Sequence, residues 1–166
     1  MSNALFIPLF QHKAWANREQ IKALEEASKT LSRADLALPL FTFDHTSRVD
    51  QVFKARLMGK IADLPTVVAN KFPEFAELAE TVAATDAWYL DYVSRVTEEE
   101  LSETVEFEFI SDDDHGRMTK AEILAHIITH GASHRGSIGK MLETLKVKGA
   151  PDMVTTFVST SRARHQ

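Results

Sequence analysis

The sequence predicts an all-α protein, a four-helix bundle with a short extra C-terminal helix. Two observations carry the prediction. Four stretches of some twenty residues place apolar side chains at steps of three, four or seven, the spacing that lines one face of a helix. Gly59, Pro65, Pro73, Gly149 and Pro151 fall between or beyond these stretches, where helices stop. Long helices joined by short or moderate loops describe a bundle, whose ligand sites are built from side chains on facing helices. A chain of 166 residues is the size of one domain with its own core, so residues 1–166 are expected to form a single unit.

The first helix is expected from about Ala4 to about Ala27, with Phe6, Phe10, Ala14, Ile21 and Leu24 on one stripe. Pro8 fits only near its start, because proline is tolerated in a first turn and disruptive later. A loop is expected over Ser28 to Pro39, with Ser32 and Asp35 as turn or cap residues. The second helix runs from roughly Leu40 to Met58, stops at Gly59, and carries Val49, Val52, Phe53 and Leu57 on its apolar side. The third starts after Pro73 and reaches about Val96, with Phe75, Leu78, Val82, Tyr89, Val93 and Val96 facing inward.

The apolar–polar alternation of Val105 to Phe109 argues for a short extended segment, and Ser111 to Gly116 reads as a solvated turn. Thr119-Lys-Ala-Glu122 is a capping box: the threonine hydroxyl accepts from the backbone N–H three residues on, and the glutamate reaches back. It opens a fourth helix expected to continue to about Lys146 and to stop before Gly149 and Pro151. A last helix, Asp152 to Ser161, carries Val154, Phe157 and Val158.

Bulk composition excludes several function classes. Hydrophobic residues are 44% and charged residues 26% of the chain, which is globular and not disordered. Without cysteine there are no disulfides, iron–sulfur clusters or thiolate zinc sites, a composition that fits a reducing cytoplasm. His12, Lys13 and Arg18 interrupt the apolar N-terminal run before it could cross a bilayer, and it lacks the features of a secretory signal. The formal charge is −5. Its only concentrated basic stretch is Arg162 and Arg164, read as a frayed tail, so neither nucleic acid nor membrane is an expected partner.

The chemistry lies in the histidines. Seven are present, at 12, 45, 115, 126, 130, 134 and 165. Four residues advance a helix by about 400° at its 3.6-residue period, so His126, His130 and His134 lie nearly on one face. Neighbours at this spacing can reach one metal ion together. His130 and His134 fall between Ile127 and Ile138, within the stripe of Ile123, Ile127, Ile138, Met141 and Leu145, and are expected to point inward. His45 precedes Val49 by four and Val52 by seven, so the second helix aims it inward too. A lone inward histidine is more often a hydrogen-bonded core residue than a ligand. Three imidazoles buried together without a cation or hydrogen-bond partners are unfavourable in either charge state. His45, His130 and His134 are therefore the expected ligands of one divalent metal ion. His126 drifts to the edge of the face and is given a supporting or surface role; His12, His115 and His165 are expected in solvent.

Two familiar metal motifs are excluded. A zincin needs glutamate directly after the first histidine, where Ile127 stands. A di-iron bundle needs Glu-x-x-His pairs, and Glu122 and His126 are four apart.

With these residues in view, the chain resembles the DinB family, the DinB/YfiT-like metalloenzymes, over nearly its whole length. The resemblance rests on Trp15-Ala-Asn17, on the second-helix histidine followed by Val49-Asp50, and above all on His130-x-x-x-His134-Arg-Gly. The family pattern there is Asn-His-x-x-His-His-Arg-Gly-Gln; Thr129, Ser133 and Ser137 depart from it, and none of the three removes a ligand. The resemblance implies an up-down-down-up bundle, a homodimer, zinc or nickel on His45, His130 and His134, and thiol-dependent chemistry of the mycothiol-dependent isomerase or bacillithiol S-transferase kind.

Three protein nitrogens leave coordination positions open, as catalytic sites do. The expected function is a metal-dependent transferase or isomerase that activates a low-molecular-weight thiol or water for a small-molecule substrate. The rivals are a non-catalytic metal- or ligand-binding stress-response protein and a metal-dependent hydrolase. Asp44, Asp86 and Arg135 are candidates for supporting or substrate contacts, set against a salt bridge or surface charge. Asp86 lies on an inward stripe, where a carboxylate needs a partner.

Overall fold

The computed structural model describes residues 3–60, 66–67, 71–108 and 115–163. A 3-10 turn (Asn3–Leu5) leads into α1 (Phe6–Ser28), followed by α2 (Arg33–Leu57), α3 (Phe75–Arg95), α4 (Glu98–Ser102), β1 (Thr104–Glu108), β2 (His115–Thr119), α5 (Lys120–Thr144) and α6 (Val154–Ala163). The expected all-α bundle is present. Pro65, Phe109, Ser111 to Asp114, Arg164 and His165 lie outside the described residues.

Caps explain where the helices begin. Pro8 occupies the first turn of α1. The stretch expected as a loop up to Pro39 is helical from Arg33, because Ser32 and Asp35 form a capping box: the Ser32 hydroxyl accepts from the Asp35 N–H, and the Ser32 N–H donates to the Asp35 carboxylate. Pro39 therefore sits inside α2, where its missing N–H removes one helical hydrogen bond. Burial of Leu36, Pro39 and Leu40 offsets that loss. Gly59, with φ +68°, closes α2 as expected. The Thr119–Glu122 capping box opens α5 as read from the sequence. That helix ends at Thr144, slightly short of expectation, because Lys146 takes the left-handed conformation (φ 63°) in place of a glycine.

Two short elements were not expected. A third capping box, Thr97 with Glu100, starts α4. The segment containing Val105 pairs antiparallel with His115–Thr119, and Phe107 stands opposite Gly116. His115 and Gly116 are thus strand residues and not part of a turn. The Phe107 ring covers Gly116 so closely that a Cβ there would meet it at 2.3 Å. Leu101 and Phe107 then close one end of the bundle.

Two apolar clusters fix the helix directions. One joins Phe6 and Phe10 of α1, Val49, Phe53 and Leu57 of α2, Tyr89 and Val93 of α3, and Ile123, Leu124 and Ile127 of α5. The other joins Leu24, Leu36, Leu40, Phe43, Leu78, Val82, Ile138 and Leu142. Helices α1 and α5 run from the first cluster to the second, and α2 and α3 run back. The order is up-down-down-up, with α1 most extensively paired with α3 and α2 with α5.

Between the clusters lies a layer of buried charge. Lys13, 1% exposed, places its Nζ 2.7 Å from Asp50 Oδ2 and 2.6 Å from Asp86 Oδ1. Burial opposes the ammonium, but the two carboxylates outweigh it and hold its pKa above the ordinary lysine value. Asn17 donates to Asp86 Oδ2 at 2.9 Å, and Arg135 donates through Nη1 to Asn17 Oδ1 at 3.1 Å. The partner foreseen for Asp86 is thus a lysine on α1. The Tyr89 hydroxyl donates to the Asp50 carbonyl. A Cβ at Gly131 would stand 3.1 Å from Arg135 Nη1, so this position leaves the guanidinium its space.

The C-terminal segment completes the layer. Asp152 accepts from Arg135 Nε at 3.0 Å and from Nη2 at 3.1 Å, a two-pronged pair of the strong kind. His12 was expected in solvent and is instead buried, 6% exposed. Its Nε2 lies 3.1 Å from the Asp152 carbonyl, and its ring packs against Trp15 and Phe157. Helix α6 covers it, a long-range contact that leaves no periodic signal in the residues around His12. Arg162 lies within α6 and not in a frayed tail.

Removing Asp152 would leave the Arg135 guanidinium, whose side chain is 2% exposed, without its carboxylate. Breaking a buried pair costs roughly 3–5 kcal/mol, and partial exposure of Asp152 brings the expected loss to about 2 kcal/mol. Urea unfolding of Asp152→Ala checks this against Glu74→Ala, whose 4.0 Å contact with Arg33 is exposed and should matter little. Equal midpoints for the two variants would mean that the tail does not support the layer.

Candidate metal centre

Level with the charged layer, α2 and α5 bring three imidazoles together. His45, His130 and His134 each offer a ring nitrogen, and these nitrogens all lie within 4.8 Å of one another. Ring centroids are 5.4 Å apart for His45 and His130, 5.1 Å for His45 and His134, and 4.4 Å for His130 and His134. The convergence expected from two separate helices is present.

Their depth differs from the expectation. The buried residues of α5 are Ala121, Ile123, Leu124, Ile127, Gly131, Arg135, Ile138 and Leu142. Ile123, Ile127 and Ile138 are buried as read off the sequence, but where that stripe passed through His130, His134 and Met141 the buried line holds Gly131, Arg135 and Leu142, one residue on. His130 and His134 flank that line and are half-buried, as is His45. Arg135 takes the inward position instead. The centre therefore sits at the edge of the bundle, beside a cavity of about 430 Å³ with Phe41, Val67 and Met141 in its walls.

Backbone geometry sets the orientation of His45. Its Nδ1 lies 2.8 Å from the carbonyl oxygen of Val67. A carbonyl only accepts, so Nδ1 carries the proton and Nε2 keeps a lone pair. Metal-ligating histidines are fixed in the same way by a hydrogen bond at the far nitrogen. Arg48 holds the neighbouring residue through Nη1 and the Thr66 carbonyl at 3.3 Å, while its Nε pairs with Asp44 at 2.5 Å. Two residues of α2 thus pin the 66–67 segment over the site. Sequence reading missed this contact, since a carbonyl oxygen has no side-chain signature.

The His130 and His134 Nε2 atoms face each other at 3.1 Å. Two ligands about 2.05 Å from a tetrahedral ion stand about 3.3 Å apart, so the separation suits a shared cation. The His130 Nδ1 is buried and has no hydrogen-bond partner among the described residues. Burial, then the neighbouring histidines 134, 126 and 45, bring the His130 pKa down to about 4. His134 is lowered by burial and by His45. Imidazoles whose ring nitrogens converge, two of them with lowered pKa, are what a divalent cation needs, and the donor set fits one.

The remaining candidates fall outside the cluster. His126 is half-buried between the rings of Phe53, at 5.1 Å, and His130, at 5.3 Å, and burial lowers its pKa. It stands at the edge of the helix face, as its helical drift predicted. Asp44 is engaged by Arg48, Asp86 by Lys13 and Asn17, and Arg135 by Asn17 and Asp152. Each makes a salt bridge, and all three are buried.

A family model described as the DinB superfamily matches residues 39–138, a span that contains all three histidines. No curated protein and no solved structure matches the chain.

The lowered pKa of His130 makes the metal-free protein acid-sensitive. The unfolded chain takes up this proton near 6.5, the folded protein only near about 4, so between these values protonation favours unfolding. Stability in the presence of a chelator should fall as pH drops from 6.5 towards 4, and less steeply in His130→Gln. Urea midpoints at pH 7 and pH 5 measure it; parallel losses in both proteins would show that the ring is not held neutral by the fold.

Proposed function

The chain belongs to the DinB superfamily, and from that premise we propose that it is a metalloenzyme, a transferase or isomerase that activates a low-molecular-weight thiol or a water at one divalent ion. The observation that carries the reading is the meeting of His45, His130 and His134 beside an open cavity. Imidazole nitrogens suit zinc and nickel, the two metals proposed here. A bound divalent ion supplies Lewis acidity, which lowers the pKa of a thiol or water brought to it.

The chain's own residues supply position. His45, fixed through Val67, and the His130–His134 pair approach from two helices and leave the side facing the cavity open to a ligand. That opening favours chemistry over a purely structural ion, whose ligand shell is closed. Asp44, next to His45 in sequence, is occupied by Arg48 and is not free to serve as a base, so a hydrolase would depend on the ion alone to activate water. The homodimer implied by the family resemblance and the cytoplasmic location suggested by the cysteine-free sequence belong to the same proposal. No helix among the described residues is long and apolar enough to cross a membrane.

Elemental analysis tests the metal. His130→Ala should lose most of the bound ion while His126→Ala retains it, and equal content in wild type and His130→Ala would end the assignment. The reaction class is tested by a panel of small thiols with a chlorinated aromatic electrophile, with and without added Zn²⁺ or Ni²⁺. One thiol should react faster in a metal-dependent way that His130→Ala removes. Background rates with every thiol, unchanged by metal, would count against the transferase reading.

A further inference from the structure

The cavity beside the three imidazoles says what kind of molecule enters it. Its apolar wall is Phe41 of α2, Val67 of the pinned segment and Met141 of α5. Phe41 is held in place by the edge of Phe72, at 5.7 Å. The other lining side chains besides His45 and His134 are Thr42 and Ser137. Both hydroxyl hydrogens are already committed to their own helices: Thr42 Oγ1 donates to the Leu38 carbonyl at 2.8 Å, and Ser137 Oγ to the Ser133 carbonyl at 3.1 Å. Among the described residues the lining contains no lysine, arginine, aspartate or glutamate. The nearby guanidiniums are engaged elsewhere, Arg48 by Asp44 and Thr66 and Arg135 by Asn17 and Asp152.

We infer that this cavity is a subsite for a neutral, largely apolar small molecule and selects against ones that carry a carboxylate away from the end facing the imidazoles. Away from the metal-facing imidazoles, an ionised group would leave water for walls that, among the described residues, offer neither a cationic side chain nor a free hydroxyl donor, and an unpaired charge in such surroundings is strongly disfavoured. At about 430 Å³ the space is within the range of small-ligand sites, roughly 300–1,000 Å³. It admits one aromatic ring or short aliphatic body, with a single heteroatom directed at His45 and His134. The inference rests on the proposed metal chemistry only for that heteroatom; the choice of a neutral body rests on the walls.

Two probes of matched shape decide it: benzyl mercaptan and 4-(mercaptomethyl)benzoate. Binding to the full-length protein is followed by the ¹³C-methyl resonance of Met141, assigned through Met141→Leu, with and without Zn²⁺. Benzyl mercaptan should shift that resonance with an affinity about tenfold or more above that of the benzoate, about 1.4 kcal/mol or more. Ser137→Arg should narrow or reverse the preference, with zinc content unchanged by elemental analysis. Equal affinities, a preference for the benzoate in wild type, or a Met141 resonance that neither probe moves would overturn the inference. Failure of the metal reading has a different signature, a wild type that takes up no zinc while Met141 still reports the neutral probe.

Discussion

Lys13 sets the register of the bundle. An ammonium sealed between two apolar clusters is tolerable only while Asp50 and Asp86 both reach it, because an unpaired buried charge costs far more than a well-paired one gains. Each contact ties α1 to a different helix, and Asn17 and Arg135 carry the chain of partners on to α5. An axial slip of one turn in any of the four helices would strand a charge. Apolar packing alone tolerates such slips more easily, since leucine and isoleucine can exchange neighbours at modest cost. The layer thus brings His45 level with His130 and His134, and the tail contributes through Asp152.

The same layer separates two kinds of chemistry along α5. Arg135 and Gly131 point to the interior and are consumed by structure; His130 and His134, one position round, face the edge and are left free. Adjacent residues on one helix therefore divide into a supporting line and a reactive line. The distinction is a rotation of roughly 100° per residue, enough to move a side chain from full burial to half-exposure. His45 follows the same rule on α2, beside the buried Asp44 and Thr46.

Much of this was legible in the residues. The four apolar stripes, the Thr119–Glu122 capping box and the stops at Gly59 and Pro73 follow from local rules, and they placed the ends of the long helices within a few residues, except the start of α2. The three histidines were found because spacing on one helix and register on another are both local. What escaped was long-range or backbone-borne. Pro39 reads as a helix breaker until the Ser32 capping box and the burial of its neighbours are set against it. The strand His115–Thr119 has no alternation of its own and exists because its partner strand offers hydrogen bonds and the Phe107 ring. His12 looks solvated in sequence, and only the return of the chain at Asp152 and Phe157 buries it. The Val67 carbonyl that orients His45 has no sequence signature.

Half-burial of the imidazoles is itself the strongest argument for reactivity. Placed on the central lines of α5 and α2, the three rings would have been enclosed by helices on every side, and any cation held there would have had a closed shell suited to structure alone. At the edge, one side faces the cavity of Phe41, Val67 and Met141, while the other is backed by packed helices whose burial lowers the pKa of His130 and His134. His130 combines both conditions: burial and its histidine neighbours hold its pKa near about 4, yet its Nε2 still faces that of His134 at 3.1 Å. Full exposure would let protons compete for these nitrogens near neutrality, and full enclosure would bar a ligand. The bundle edge satisfies both requirements at once.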